Sequence, residues 1–354
     1  MTRRFRRNRA RLTGLTLLAG LSAALTACTV NGPATGSISH PPAAKAAAST
    51  SVSADPPGPT LPVPAALASS GDAATGQGRW HPAGRRVRGR VAVYETTLRP
   101  PGGTQVAGIA WMDTRLLAAR LYSGSLSPGG GPYRFTAPIR PAQAATLVAA
   151  FNGGFLMRDA RGGYYTEGRT VVPLVRGAAS LVIKANGGVS VGAWGSDVTM
   201  TRDVVSVRQN LVPLVADGRP TPLVTARTWR FWGSTCSATS CGHGLPGVEH
   251  QWRSGLGINA DGALVYAAGP ALDPLQLAQL LITAGAVRAM ELDINPAWPV
   301  FASYAPTSPA GLAAPSNGSK LLASTDHGPD TFFNPVWARD FITMSARPAG
   351  STAG

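Results

Sequence analysis

The sequence predicts an α+β fold: a β-rich mixed sheet with hairpins and a few flanking helices, forming a single domain. Three observations carry this. The 354 residues include 42 glycines and 30 prolines, so the chain turns often. A hydrophobic content of 44% is enough to fill a core. Short alternating apolar runs recur between Gly-rich turns, and one strong helical pattern, over residues 273–285, stands among them.

The formal charge of +15 is inflated by the N-terminus. Arg3, Arg4, Arg6, Arg7, Arg9 and Arg11 precede an acid-free apolar run over residues 12–25. A basic region followed by a short apolar one reads as a secretory signal over residues 1–27, too short for a comfortable membrane span. It ends in Leu25-Thr26-Ala27-Cys28, which resembles a bacterial lipobox and makes Cys28 the expected lipidation site. Loss of that segment leaves +9, spread diffusely and without the aromatic-interleaved basic stripe of a nucleic-acid binder. The expected partner is therefore the membrane, through the N-terminal lipid, with attraction of the remaining positive charge to anionic cell-wall polymer or membrane surface. The expected location is extracytoplasmic, on the outer face of the bacterial membrane.

Residues 28–84, rich in Ala, Pro and Ser, read as a flexible linker, with Trp80 as a first ordered residue. The domain proper is expected over residues 85–345, with a tail at 346–354. Strands are expected at residues 88–94 and 106–113, and a strand or short helix at 116–122. A helix is expected at 141–150, with Pro141 in its first turn. Phe151-Asn152-Gly153-Gly154-Phe155 follows as a sharp turn calling for positive φ. Residues 162–169 read as a hairpin turning at Glu167-Gly168, with Tyr164 and Tyr165 on opposite faces. Another hairpin joins residues 179–184 and 189–194 through Asn186-Gly187-Gly188. Further strand is expected within 200–214, then a loop over 228–247, then a hairpin from 252–259 to 263–267. Cys236 and Cys241 lie in that loop. Outside the cytosol they can close a small disulfide, and their spacing to His243 and His250 matches no familiar zinc pattern. No metal and no cofactor is expected.

The helix at 273 is well specified. Asp273 can cap it, Pro274 suits its first turn, Leu275, Leu277, Leu280, Leu281 and Ile282 face inward, and Gly285 follows its end. A strand over 286–294 comes next and carries Glu291 and Asp293. Residues two apart on a strand share a face, with Cβ atoms about 6.5–7 Å apart. Charge in an apolar strand is costly unless paired or used. The two acids are thus either bonded to arginine and loop amides or a pair at the rim of a site.

The order of motifs resembles the phosphodiester glycosidase family over about residues 88–345. The residues that carry the resemblance are Asn152-Gly153-Gly154-Phe155, Arg253-Ser254-Gly255-Leu256-Gly257-Ile258 and Leu292-Asp293. Where the family continues Leu-Asp into Gly-Gly-Gly-Ser, this chain has Ile294-Asn295-Pro296-Ala297-Trp298. The resemblance implies a hydrolase, a glycosidase acting on a sugar-1-phosphodiester or related envelope linkage. Asp293 would be its leading catalytic carboxylate and Glu291 the partner. Arg253 would clamp a phosphate or uronate, or else form a structural pair with Asp293. Asn152, Gly153 and Gly154 would bind hydroxyls or phosphate, and Tyr165 and Trp298 would stack on the sugar. The other reading is a non-catalytic lipoprotein that binds envelope glycan or a teichoic-acid-like polymer.

Overall fold

The computed structural model describes residues 60–68, 76–227, 232, 250–348 and 350. The signal segment, Cys28, most of the expected linker, and Cys236 and Cys241 lie outside the described residues. Those residues belong to one compact unit, Ala54–Gly354, built mostly of β-structure in three sheets.

The largest sheet has eight strands in the order β1 (His81–Ala83), β2 (Val93–Leu98), β3 (Ala107–Met112), β14 (Leu264–Leu272), β13 (Gln251–Asn259), β15 (Ala286–Glu291), β11 (Pro213–Ala216) and β12 (Arg219–Pro220). A second, of five strands, runs β7 (Arg169–Val172), β6 (Tyr164–Thr166), β10 (Val204–Gln209), β8 (Ala179–Lys184) and β9 (Val189–Ala193). A third, also of five, runs β17 (Gly318–Lys320), β16 (Phe301–Tyr304), β5 (Leu147–Asn152), β18 (Phe341–Ala346) and β4 (Leu117–Tyr122).

The expected mixed sheet is corrected by the ladders. Every named strand pair among the described residues is antiparallel. Short hairpin links, such as Glu167-Gly168 between β6 and β7, join strands only in that sense. The connection that runs through α3 (Pro274–Thr283) leads from β14 to β15, and β13 lies between those two strands.

Helix α3 forms as the sequence dictates. The Asp273 carboxylate accepts from Gln276 N at 2.6 Å, and Gln276 Oε1 accepts from Asp273 N at 3.0 Å, so the cap is reciprocal. Gly285, at φ +95°, follows its C-terminus. Leu277, Leu280 and Leu281 are buried against the large sheet, each worth about 1.5–3 kcal/mol on burial.

Three expectations fail locally. The helix expected at 141–150 is only α1 (Pro141–Ala144), a four-residue turn like α2 (Pro222–Thr225). From Leu147 the chain becomes β5, a strand buried along its whole length between β16 and β18. An apolar run that short fits either form, and here the neighbouring strands decide. The strand expected at 88–94 begins only at Val93, because Arg88 (φ +51°) and Gly89 (φ +75°) turn the chain. Part of the expected linker is packed: Leu61 and Leu67 are buried in the core under the large sheet, and Leu61 N donates to Asp113 Oδ2 at 2.9 Å.

Candidate functional site

The three sheets meet at the turn after β5. Asn152 ends that strand, and both polar atoms of its side chain are engaged. Its Oδ1 accepts from Tyr266 OH at 2.8 Å and Val300 N at 3.1 Å, while Nδ2 donates to Ser254 Oγ at 3.1 Å and Gly153 O at 2.8 Å. One buried amide therefore ties the third sheet to β13 and β14. Asn210, just after β10, does the same for the second sheet. Its Nδ2 donates to the carbonyls of Glu291 (2.9 Å) and Leu292 (3.2 Å), and its Oδ1 accepts from Phe155 N at 3.0 Å.

Gly153 and Gly154 have a different reason from the one expected. Neither has positive φ. A Cβ on Gly153 would lie 2.1 Å from Asp340 Oδ2, and one on Gly154 2.6 Å from Asn210 Oδ1. Close approach of side chains, not backbone handedness, demands glycine at both positions.

Glu291 and Asp293 take separate arginines. Glu291 Oε1 accepts from Arg253 Nη1 at 2.5 Å, both side chains being fully buried. Arg253 also donates to Leu272 O (2.8 Å) and Trp232 O (3.2 Å). The structure thus places Arg253 in the core behind Glu291, and the expected alternative of an Arg253–Asp293 pair is corrected. Burial pushes the Glu291 carboxyl up to about 7 against the pull of Arg253. Its Oε2 is buried without a hydrogen-bond partner.

Asp293 sits just past the end of β15. Its Oδ2 accepts from Arg339 Nη2 at 2.6 Å, and Oδ1 accepts from Ile294 N (2.8 Å) and Asn295 N (3.0 Å). Ser254 fixes its backbone, with Ser254 N donating to Asp293 O at 2.8 Å and Asp293 N donating to Ser254 Oγ at 3.1 Å. Burial raises the Asp293 carboxyl to about 6, although Arg339 and the two loop amides oppose the rise.

Over this pair lies an aromatic group. The Arg339 guanidinium carbon is 4.7 Å from the Trp298 ring centroid. Trp298 stacks on His327 at 5.5 Å and meets Trp337 edge-on at 5.4 Å. Trp298 is half-buried, and Pro296 in the same loop is exposed. Tyr165 is elsewhere: it lines a cleft between the second and third sheets, while Tyr164 is buried and hydrogen-bonds Ser123.

Sequence reasoning missed Arg339 and Asp340. Asp340 forms the third buried pair, with Arg208 Nε at 2.8 Å, and also accepts from Ser127 Oγ at 2.8 Å. The signal was present, since adjacent opposite charges precede the apolar β18 much as Glu291 and Asp293 close β15. Among the described residues no group of three or more His, Cys, Asp or Glu could hold a metal ion.

No family model and no curated protein matches the chain. Among solved structures it is similar to the catalytic domain of zebrafish N-acetylglucosamine-1-phosphodiester alpha-N-acetylglucosaminidase, auto-inhibited by its pro-peptide. The identity is 14% and the TM-score 0.42, over 76% of this chain and 88% of that one. It is also similar to a hypothetical protein from Synechocystis, at 13% identity and TM-score 0.39, over 73% of this chain and 63% of that one.

Proposed function

We propose that the protein is a cell-envelope phosphodiester glycosidase that hydrolyses a sugar-1-phosphodiester, anchored through Cys28 to the outer face of the membrane. The observation that carries this reading is Asp293: a carboxyl raised to about 6, fixed by Arg339 and two loop amides beneath the half-buried Trp298. The sequence resemblance at Leu292-Asp293 points to the same residue.

The chemistry asks little of an acid, because a phosphate leaving group departs without protonation. It needs a base for water. In this reading water attacks the anomeric carbon and its proton passes to Asp293. The bond from that carbon to the phosphate oxygen breaks, and its electron pair leaves with the phosphate. A base near 6 is ionised at neutral pH yet still basic enough to take the proton. Trp298 supplies a face for the sugar ring. Arg339 Nε, buried without a hydrogen-bond partner, is a donor available to a phosphate oxygen once the loop yields. Glu291, paired with Arg253 in the core, supports the strand end and does not reach substrate.

The test is release of reducing sugar from a panel of sugar-1-phosphodiesters by the full chain. Asp293→Asn is expected to lower turnover by about 100-fold or more while leaving substrate binding in place. Absence of turnover by the unaltered protein across the panel overturns the reading. One observation favours the other role, a binder of envelope glycan or polymer: Asp293, Glu291 and Asn152 are all engaged internally. Retention of wall polymer without any hydrolysis would assign it.

A further inference from the structure

A second cleft, of about 370 Å³, opens between β4 of the third sheet and β6, β8 and β10 of the second. None of its lining residues belongs to the Asp293–Arg339 centre. Its volume falls in the range of small-molecule sites, about 300–1,000 Å³. We infer that this cleft binds an anionic sugar unit, a pyranose carrying a phosphate or a carboxylate. The inference goes beyond the hydrolytic reading and does not depend on it.

The argument begins with the turn between β6 and β7. Glu167 (φ +50°) and Gly168 (φ +75°) form a tight reversal that brings the exposed Glu167 carboxylate to the neighbouring loop. Its two oxygens accept from Arg134 N and Phe135 N, each at 3.0 Å. This fixes the rim loop at 134–135. The Phe135 ring is then flanked by two guanidinium groups, Arg120 at 4.2 Å and Arg134 at 5.3 Å from its centroid. Neither is in an ion pair with a carboxylate among the described residues.

Held on a ring and not spent on an acid, an arginine keeps its donor edge for an incoming anion. Its planar fork matches phosphate or carboxylate. Lys184 adds a third cation, partly offset by Asp203 at 3.2 Å. Three cations against the single lining carboxylate of Glu167, itself bound by two amides, leave the cleft positive.

The remaining surface suits a ring. Tyr165 is half-exposed, and Ile183, Val204 and Leu121 supply an apolar floor. Sugar C–H faces pack on such surfaces, and the lining also includes Thr166 and Ser206, whose hydroxyls hydrogen-bond each other at 3.1 Å. Both guanidinium groups are exposed, so binding should be modest and weakened by salt.

The experiment is calorimetric titration of the full chain with glucose 1-phosphate, glucuronate, glucose and inorganic phosphate. At least one sugar anion should bind about tenfold or more tighter than glucose, a difference of about 1.4 kcal/mol, and tighter than inorganic phosphate. R120Q/R134Q should erase that difference with only a small drop in melting temperature, because both side chains are exposed and lose no more than their contacts with the Phe135 ring. A response to glucose 1-phosphate alone assigns phosphate, and one to glucuronate alone assigns carboxylate. Equal binding of glucose, binding of inorganic phosphate as tight as that of the sugar phosphate, or unchanged binding in R120Q/R134Q overturns the inference. Asp293→Asn should leave this titration unaltered, so failure here and failure of the hydrolytic reading are separately visible.

Discussion

Arg339 holds Asp293 by one nitrogen, Nη2, at 2.6 Å, and lays its guanidinium 4.7 Å from the Trp298 ring centroid. The same Nη2 donates to Gly154 O at 3.0 Å. Burial raises the Asp293 carboxyl and Arg339 lowers it, and burial wins by leaving it at about 6. A carboxyl balanced in this way responds to any change in its arginine.

Replacing Arg339 by glutamine removes the opposing charge and lifts Asp293 further. With Asp293 as the base, activity rises as pH passes through its pKa. The rising limb of kcat/KM, near pH 6 in the unaltered protein, should move up by about one unit or more in Arg339→Gln. A limb that stays in place while activity falls would separate Arg339 from the titration of Asp293.

Glu291 gives a stability prediction with a definite sign. Its folded carboxyl is raised from 4.5 to about 7. Between those values the native state holds a proton that the unfolded chain has released. The stability it contributes is therefore complete below about pH 4.5 and declines until about pH 7. Glu291→Gln, which cannot ionise, should lose less stability between pH 5 and 8 than the unaltered protein. Parallel urea midpoints for the two proteins across that interval would contradict the assignment.

Asn152 carries four hydrogen bonds from the heart of the molecule. Asn152→Ala leaves Tyr266 OH and Val300 N buried without their acceptor, at about 1–3 kcal/mol each. Chemical denaturation should show a large drop in midpoint. An unchanged midpoint would mean that Asn152 is free to serve a ligand.

Gly153→Ala and Gly168→Ala test two reasons for glycine. The first places a methyl group 2.1 Å from the buried Asp340 carboxylate, whereas the second meets nothing within 4 Å but has φ +75°. The second should cost about 1–2 kcal/mol in backbone strain. The first should cost more, because it wedges apart the Arg208–Asp340 pair.

The legible parts of the sequence were those whose cause is local. Asp273, Pro274 and Gly285 announced α3 because caps act within one turn. Glu167-Gly168 and Asn186-Gly187 announced hairpins because positive φ is a property of one or two residues. Glu291 and Asp293 were visible as acids in an apolar strand. Their partners were not, because Arg253 and Arg339 reach them across 38 and 46 residues. The strand at 147–152 read as a helix because its form is decided by β16 and β18. The glycines of the turn read as a backbone feature because Asp340, which excludes a Cβ, approaches from far along the chain.

The buried seam of Asn152, Asn210, Glu291 and Asp340 also orders events in time. The first of these residues leaves the ribosome long before the last. At about 5–20 residues per second, residue 340 follows residue 152 by roughly 10–40 s. Through that interval residues 147–152 lack their β18 partner, and Arg208, once made, lacks its carboxylate. A chain cut before residue 339 would keep the acid of the candidate site and lose the arginine that tunes it. The pairing of Asp293 is therefore complete only once the residues just before the final strand are in place.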